Sequence, residues 1–110
     1  MSNEIVNQDE LIHLVNCRLI ARVLNDNRPD IWSGIDRVVF DNSVKAEVDF
    51  IYDFLRKEGK LPEPSSFLSE FPLFDWNLHI TSESFDYLIE KVIDGYKVRG
   101  LFEIVDKLRS

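Results

Sequence analysis

Apolar residues return along most of this chain at three- and four-residue steps, the spacing that lines one face of an α-helix. Over residues 8–26, Leu11, Ile12, Val15, Leu19, Ile20 and Val23 form one inward stripe. Asn7 and Glu10 stand in the spacing of a capping box ahead of it, and Asn25-Asp26-Asn27 stops it. Pro29 opens a short helix carrying Ile31, Trp32 and Ile35, and Val38-Val39-Phe40 reads as a buried connector. Asp41, Asn42 or Ser43 caps the next helix, whose Val44, Val48, Ile51, Tyr52 and Leu55 keep the helical period as far as Gly59, the residue suited to a left-handed C-terminal position. After a turn from Lys60 to Pro64, Ser65 or Ser66 caps a short helix through Phe67, Leu68 and Phe71, closed by Pro72. From Leu73 to Thr81, Phe74, Trp76, Leu78 and Ile80 alternate as in a strand. No second strand is available to pair with it, so the segment is predicted to be an ordered loop pinned by its aromatics.

The end of the chain carries the most information. Ser82 to Arg109 predicts one helix roughly 40 Å long, comparable to the width of a compact domain of this size. Its first stripe, Phe85, Leu88, Ile89, Val92, Ile93 and Tyr96, faces the head, whose core rests on Leu19, Val48, Ile51, Leu55 and Leu88. A second stripe of Val98, Leu101, Phe102, Val105 and Leu108 points elsewhere, with Gly95 and Gly100 flanking the change of phase. These five residues form the candidate oligomer interface. Their partner is a downstream segment, a second copy or another protein, unless a kink at Gly95 or Gly100 folds the tail back onto the head. The predicted architecture is all-α and a single domain: a small multi-helix head over residues 1–81 and a C-terminal arm over residues 82–110.

Composition narrows the class. In 110 residues, 45% hydrophobic content with eight Phe and two Trp is enough for a packed core and argues against intrinsic disorder. Cys17 is the single cysteine, which excludes an internal disulfide framework and a four-cysteine zinc site. No apolar run approaches the ~20 residues that span a bilayer, and Met1 to Glu10 is polar and acidic where a signal peptide is basic and then apolar. A cytoplasmic protein is therefore expected. Residues 85–110 hold five acidic and five basic side chains, so the net charge of −7 belongs entirely to residues 1–84. An acidic head repels phosphate, and autonomous nucleic-acid binding is disfavoured.

The candidate chemistry is sparse. His13 and Cys17 stand four apart on one helix face, the spacing of a metal-ligand pair or of a thiol beside a base, and a third ligand would come from His79 or a carboxylate. Both are flanked by core-facing positions and read as ordinary partly buried residues. Asp49 with Asp53, and Asp86, Glu90 and Asp94, form acidic ladders opposite the apolar stripes with lysines nearby, as a solvated helix face does. Four isolated glycines make no phosphate loop, and neither Gly-x-Ser-x-Gly nor His-Glu-x-x-His occurs. Trp32, Phe40, Phe67, Phe71, Phe74 and Trp76 lack the interleaved Lys and Arg of a base-stacking platform and read as core. No catalytic, cofactor-binding or metal residue is assigned, and the chain is not expected to be an enzyme.

Three passages carry a family resemblance: Glu10-Leu11-Ile12 through Val23; Phe40, then Ala46, Ile51, Leu55 and Glu58-Gly59-Lys60-Leu61-Pro62; and Tyr87, Val92 and Val98-Arg99-Gly100-Leu101. In their order and spacing they resemble the N-terminal domain of DnaB-type replicative helicases, particularly the divergent phage versions. The third passage is similar to the first arm of that domain's helical hairpin. The resemblance implies a non-catalytic collar whose hairpins pair subunits, whose pairs build a hexameric ring, and which contacts primase and helicase loader. Two features depart from the family: no second arm follows before Ser110, as in a truncated protein, and the RecA-like ATPase domain is absent. The competing expectation is a free-standing acidic adaptor or inhibitor acting on a replication complex. A small enzyme using His13 and Cys17 is a third.

Overall fold

A computed structural model describes residues 8–109, with side chains as far as residue 100. Among these residues the chain is all-α. Its six helices are α1 (Gln8–Asp26), α2 (Pro29–Ser33), α3 (Lys45–Glu58), α4 (Pro64–Glu70), α5 (Trp76–His79) and α6 (Phe85–Arg109), with 3-10 turns at Arg37–Val39 and Asn42–Val44 between α2 and α3. The Asn7–Glu10 capping box involves Asn7, which lies outside the described residues.

α1 is the spine of the head. Ile12, Leu19, Ile20 and Val23 are buried as their spacing predicts, but Leu11 is 46% exposed, and Asn16, Cys17, Ala21 and Leu24 are buried in addition. The inward face is therefore rotated toward residues 16–17 and 20–24, because α1 is covered by other elements on more than one side. Chief among these is α6, which lies along it. The predicted head core holds: Leu19, Val48, Ile51 and Leu88 are buried, with Leu55 packed against them. Trp32 sits inside, its ring 5.1 Å from Phe40 and 4.8 Å from Tyr52, whose hydroxyl donates to the Ile35 carbonyl at 2.6 Å.

Local signals account for most boundaries. Asp41 accepts from the Ser43 N–H at 3.1 Å and caps the turn that leads into α3, which Gly59 ends at φ 73°. α4 starts differently from the expectation. Pro64 occupies its first turn after Glu63, no side chain caps it, and Ser65 lies inside the helix, because the fixed φ of proline already initiates the turn. The predicted loop from Leu73 to Thr81 contains the short helix α5, capped by Asp75 accepting from the Leu78 N–H at 3.1 Å. Phe74 and Trp76 do anchor it to the core. In the Val38-Val39-Phe40 connector, Val38 and Val39 close the 3-10 turn Arg37–Val39 and Phe40 follows it in extended conformation, so Val38 is exposed while Phe40 turns into the core.

α6 begins at Phe85, after Ser84 accepts from the Tyr87 N–H at 3.1 Å, and runs unbroken through Gly95 and Gly100 to Arg109. A tail folded back at either glycine is thus ruled out. Leu88 and Val92 are buried against α1, whereas Tyr96 lies at the edge of the stripe and is exposed. Gly95 has a specific reason to lack a side chain: a Cβ there would meet Ile12 Cγ1 at 3.1 Å and Cγ2 at 3.2 Å, so the helices approach closely at this point. A Cβ at Gly100 would meet nothing within 4 Å.

Candidate functional site

The arm is held to the head by charge as well as by packing. Arg99 Nε donates to Asp41 Oδ1 at 2.8 Å, and its guanidinium reaches Asp9 at 3.1 Å, so one residue of α6 ties α1 to the loop before α3. The Asp41 side chain is only 6% exposed. Burial by itself would raise its pKa, but the Ser43 hydroxyl and N–H and the Arg99 guanidinium outweigh burial and hold the carboxyl below the usual range. At the other end of the helix, Arg18 pairs with Glu83 at 3.2 Å, and Arg22 donates to the Glu83 carbonyl with its guanidinium 4.6 Å over the Phe85 ring.

Of the five candidate interface residues, Val98 has a described side chain. It is half-buried and lines a 370 Å³ groove between α1 and α6 together with Leu11, Ile12, Tyr87, Lys91 and Gly95. Leu101, Phe102, Val105 and Leu108 lie outside the residues whose side chains are described, although α6 includes their backbone. Positions 87, 91, 94, 98, 101, 105 and 108 follow one another at alternating steps of four and three, the spacing of a coiled-coil seam. Its first half, Tyr87-Lys91-Asp94-Val98, forms the α6 wall of the groove, where Leu11 and Tyr87 are large side chains left exposed. This register is present in the sequence. It is hidden by the polar residues Lys91 and Asp94, which interrupt the apolar half of the seam.

The structure also brings the His13–Cys17 pair into one 430 Å³ cleft with His79, Glu47, Glu70 and Asp75, across which Phe71 to Phe74 form a wall. Hydrogen-bond polarity defines the local chemistry. The Ser43 hydroxyl donates to Asp41 Oδ2 at 2.5 Å, so it accepts from His13 Nδ1 at 2.8 Å, and His13 Nε2 stands 3.4 Å from the Cys17 sulfur. Burial first, and Glu47 second, push the Cys17 pKa up to about 12, so the sulfur stays protonated at neutral pH and is a poor nucleophile. Among the described residues no group of three or more His, Cys, Asp or Glu is arranged to hold a metal ion. What the chain of bonds from Cys17 to Arg99 does is join α1, the loop before α3 and α6.

The remaining candidates are accounted for by their neighbours. Asp49 takes Arg37 at 3.0 Å and Lys45 at 2.7 Å, and Asp53 takes Arg56 at 3.2 Å, while Asp86, Glu90 and Asp94 are exposed. Trp32, Phe40 and Phe67 are buried, and Phe71, Phe74 and Trp76 pack on them, with Phe74 meeting Phe67 edge-on at 5.0 Å. Among the described residues no helix is long and apolar enough to cross a membrane. Comparison with protein-family models, with curated proteins and with solved structures finds no match to this chain.

Proposed function

We propose that the chain is a non-catalytic N-terminal scaffolding domain of a replicative DNA helicase, in which α6 joins subunits into a ring and the assembled collar docks a primase or a helicase loader. The observation that carries this reading is α6 itself. It is 25 residues long and unbroken, is anchored on the head by Leu88, Val92 and Arg99, and continues for another ten residues in a four-three apolar register. A large apolar side chain in water forfeits about 1.5–3 kcal/mol, and pairing seam to seam with a second copy is the arrangement that recovers it along such a register. Such pairing is self-complementary about a two-fold axis. The helicase setting rests on the resemblance of the three sequence passages, and the acidic head agrees with a role in protein contacts rather than in gripping phosphates.

The test is oligomeric state. Light scattering over a concentration series is expected to show association for the wild type and a monomer for Phe102→Glu combined with Val105→Glu, with the helical circular-dichroism signal of the head retained. A wild type that stays monomeric at high concentration, or a double variant that unfolds, places the stripe in the fold and removes the scaffold reading. A Walker-type ATPase encoded downstream supports the helicase context, and a genuine stop near Ser110 favours the adaptor instead.

A further inference from the structure

The cleft beside His13 and Cys17 gathers negative charge that no described residue of the head answers. Glu47 enters it from α3, Glu70 from the end of α4 and Asp75 from the start of α5, and no Lys or Arg lines its 430 Å³. Among the described residues neither Glu47 nor Glu70 is in an ion pair. Arg18, whose charge reaches His79, is already held by Glu83. The rest of the wall is apolar, built from Phe71, Pro72, Leu73 and Phe74. Leu73 is 97% exposed on a turn whose backbone is tied by Phe74 N–H to the Phe71 carbonyl at 3.1 Å, so a large apolar side chain projects at the mouth of an acidic cleft. A second, independent feature is His79, another wall residue. It is 7% exposed, yet among the described residues its Nδ1 has no hydrogen-bond partner, and buried polar atoms in folded proteins are rarely left so.

We propose that this cleft receives a lysine or arginine side chain from an otherwise apolar segment of a partner protein. One such residue combines both halves of the site: an aliphatic stem to lie on Phe71, Phe74 and Leu73, and a cationic end to meet Glu47, Glu70 and Asp75. Nucleic acid and small anions are excluded by the three carboxylates. A free polyamine supplies the cation but leaves Leu73 uncovered, and burial of Leu73 needs the apolar neighbours of a basic residue in a chain.

The proposal is tested by amide-resonance mapping of the whole protein during titration with acetyl-Leu-Arg-Leu-amide and with its citrulline counterpart, which keeps the shape and removes the charge. The arginine peptide is expected to give saturable shifts at Glu47, Glu70, Leu73, Asp75 and His79, with binding weakened about tenfold or more for the citrulline peptide and for the Glu47→Gln, Glu70→Gln double variant. Leu73→Ser, on the surface and harmless to folding, is expected to weaken the binding of both peptides. No saturable shift at millimolar peptide, equal response to the two peptides, or shifts on another face overturns it. So does a concentration-dependent shift of the same residues without peptide, which seats a second copy in the cleft, or stoichiometric movement of His13, Cys17 and His79 by zinc chloride alone, which makes it a metal site.

Discussion

Asp41 is where single atoms decide most. Its carboxylate caps the turn before α3, accepts the Ser43 hydroxyl, and takes Arg99 from the far side of the molecule. Because these partners depress its folded pKa below the unfolded value near 3.8, the unfolded chain takes up the proton more readily. The stabilisation is therefore complete above about pH 5 and is lost as the pH falls through the unfolded and then the folded pKa. Urea unfolding measured from neutral pH downward should show Asp41→Asn to be less stable than wild type at neutral pH, with the gap closing below about pH 4. A gap that persists unchanged in acid would assign the loss to geometry and not to charge. Asn16 shows what is illegible at this scale. Its side chain donates to the Ile12 carbonyl at 2.7 Å and accepts from the Asp41 N–H at 3.0 Å, but in the sequence it is a polar residue between Val15 and Cys17 whose second partner stands 25 positions away.

Within elements, the two glycines of α6 are alike in sequence and opposite in consequence. Gly100 faces open space, so Gly100→Ala should gain about 0.8–1 kcal/mol from the higher helix propensity of alanine. Gly95 faces Ile12, buried and β-branched, and the added methyl must displace it. Overpacking of that kind costs about 1–3 kcal/mol and cancels or exceeds the propensity gain. Thermal melts of the two variants should therefore diverge, Gly100→Ala above wild type and Gly95→Ala at or below it. Equal rises would show that Ile12 yields freely and that the helix contact is loose. Element boundaries were legible where a single residue acts within a few positions, as Asp41 and Pro29 do at starts and Gly59 does at an end. α5 was missed because its four residues are too few to display a period, and its Asp75 cap is an unremarkable acid until the Leu78 N–H is placed beside it.

On the scale of the molecule, extents of 46 × 32 × 25 Å reflect a head of crossed helices with one long helix laid along it. Charge is distributed unevenly on this frame, −7 over residues 1–84 and zero over residues 85–110. If copies meet along α6, the heads repel across the assembly while the apolar seam does not depend on ions. Raising sodium chloride from about 50 mM to about 500 mM should then strengthen association, since it shortens the screening length to a few ångströms. Sedimentation equilibrium at the two salt levels reads the sign directly, and weaker association in high salt would point to ion pairs, not the apolar seam, as the contact.

Periodicity makes the all-α class, the length of α6 and the core residues Leu19, Val48, Ile51 and Leu88 readable in the sequence, because each depends on side chains within one or two helical turns of one another. The pairing of His13 with Cys17 was legible for the same reason, and their spacing on α1 is borne out by the 3.4 Å contact. Which face of α1 turns inward, what Arg99 grips and why Gly95 is a glycine were settled by packing between segments 25 to 90 residues apart, for which local pattern carries no record. The acidic cleft has the same origin: Glu47, Glu70 and Asp75 lie on three different helices or their caps, each reading alone as an ordinary solvated carboxylate, and only the crossing of those helices against α1 turns them into one wall.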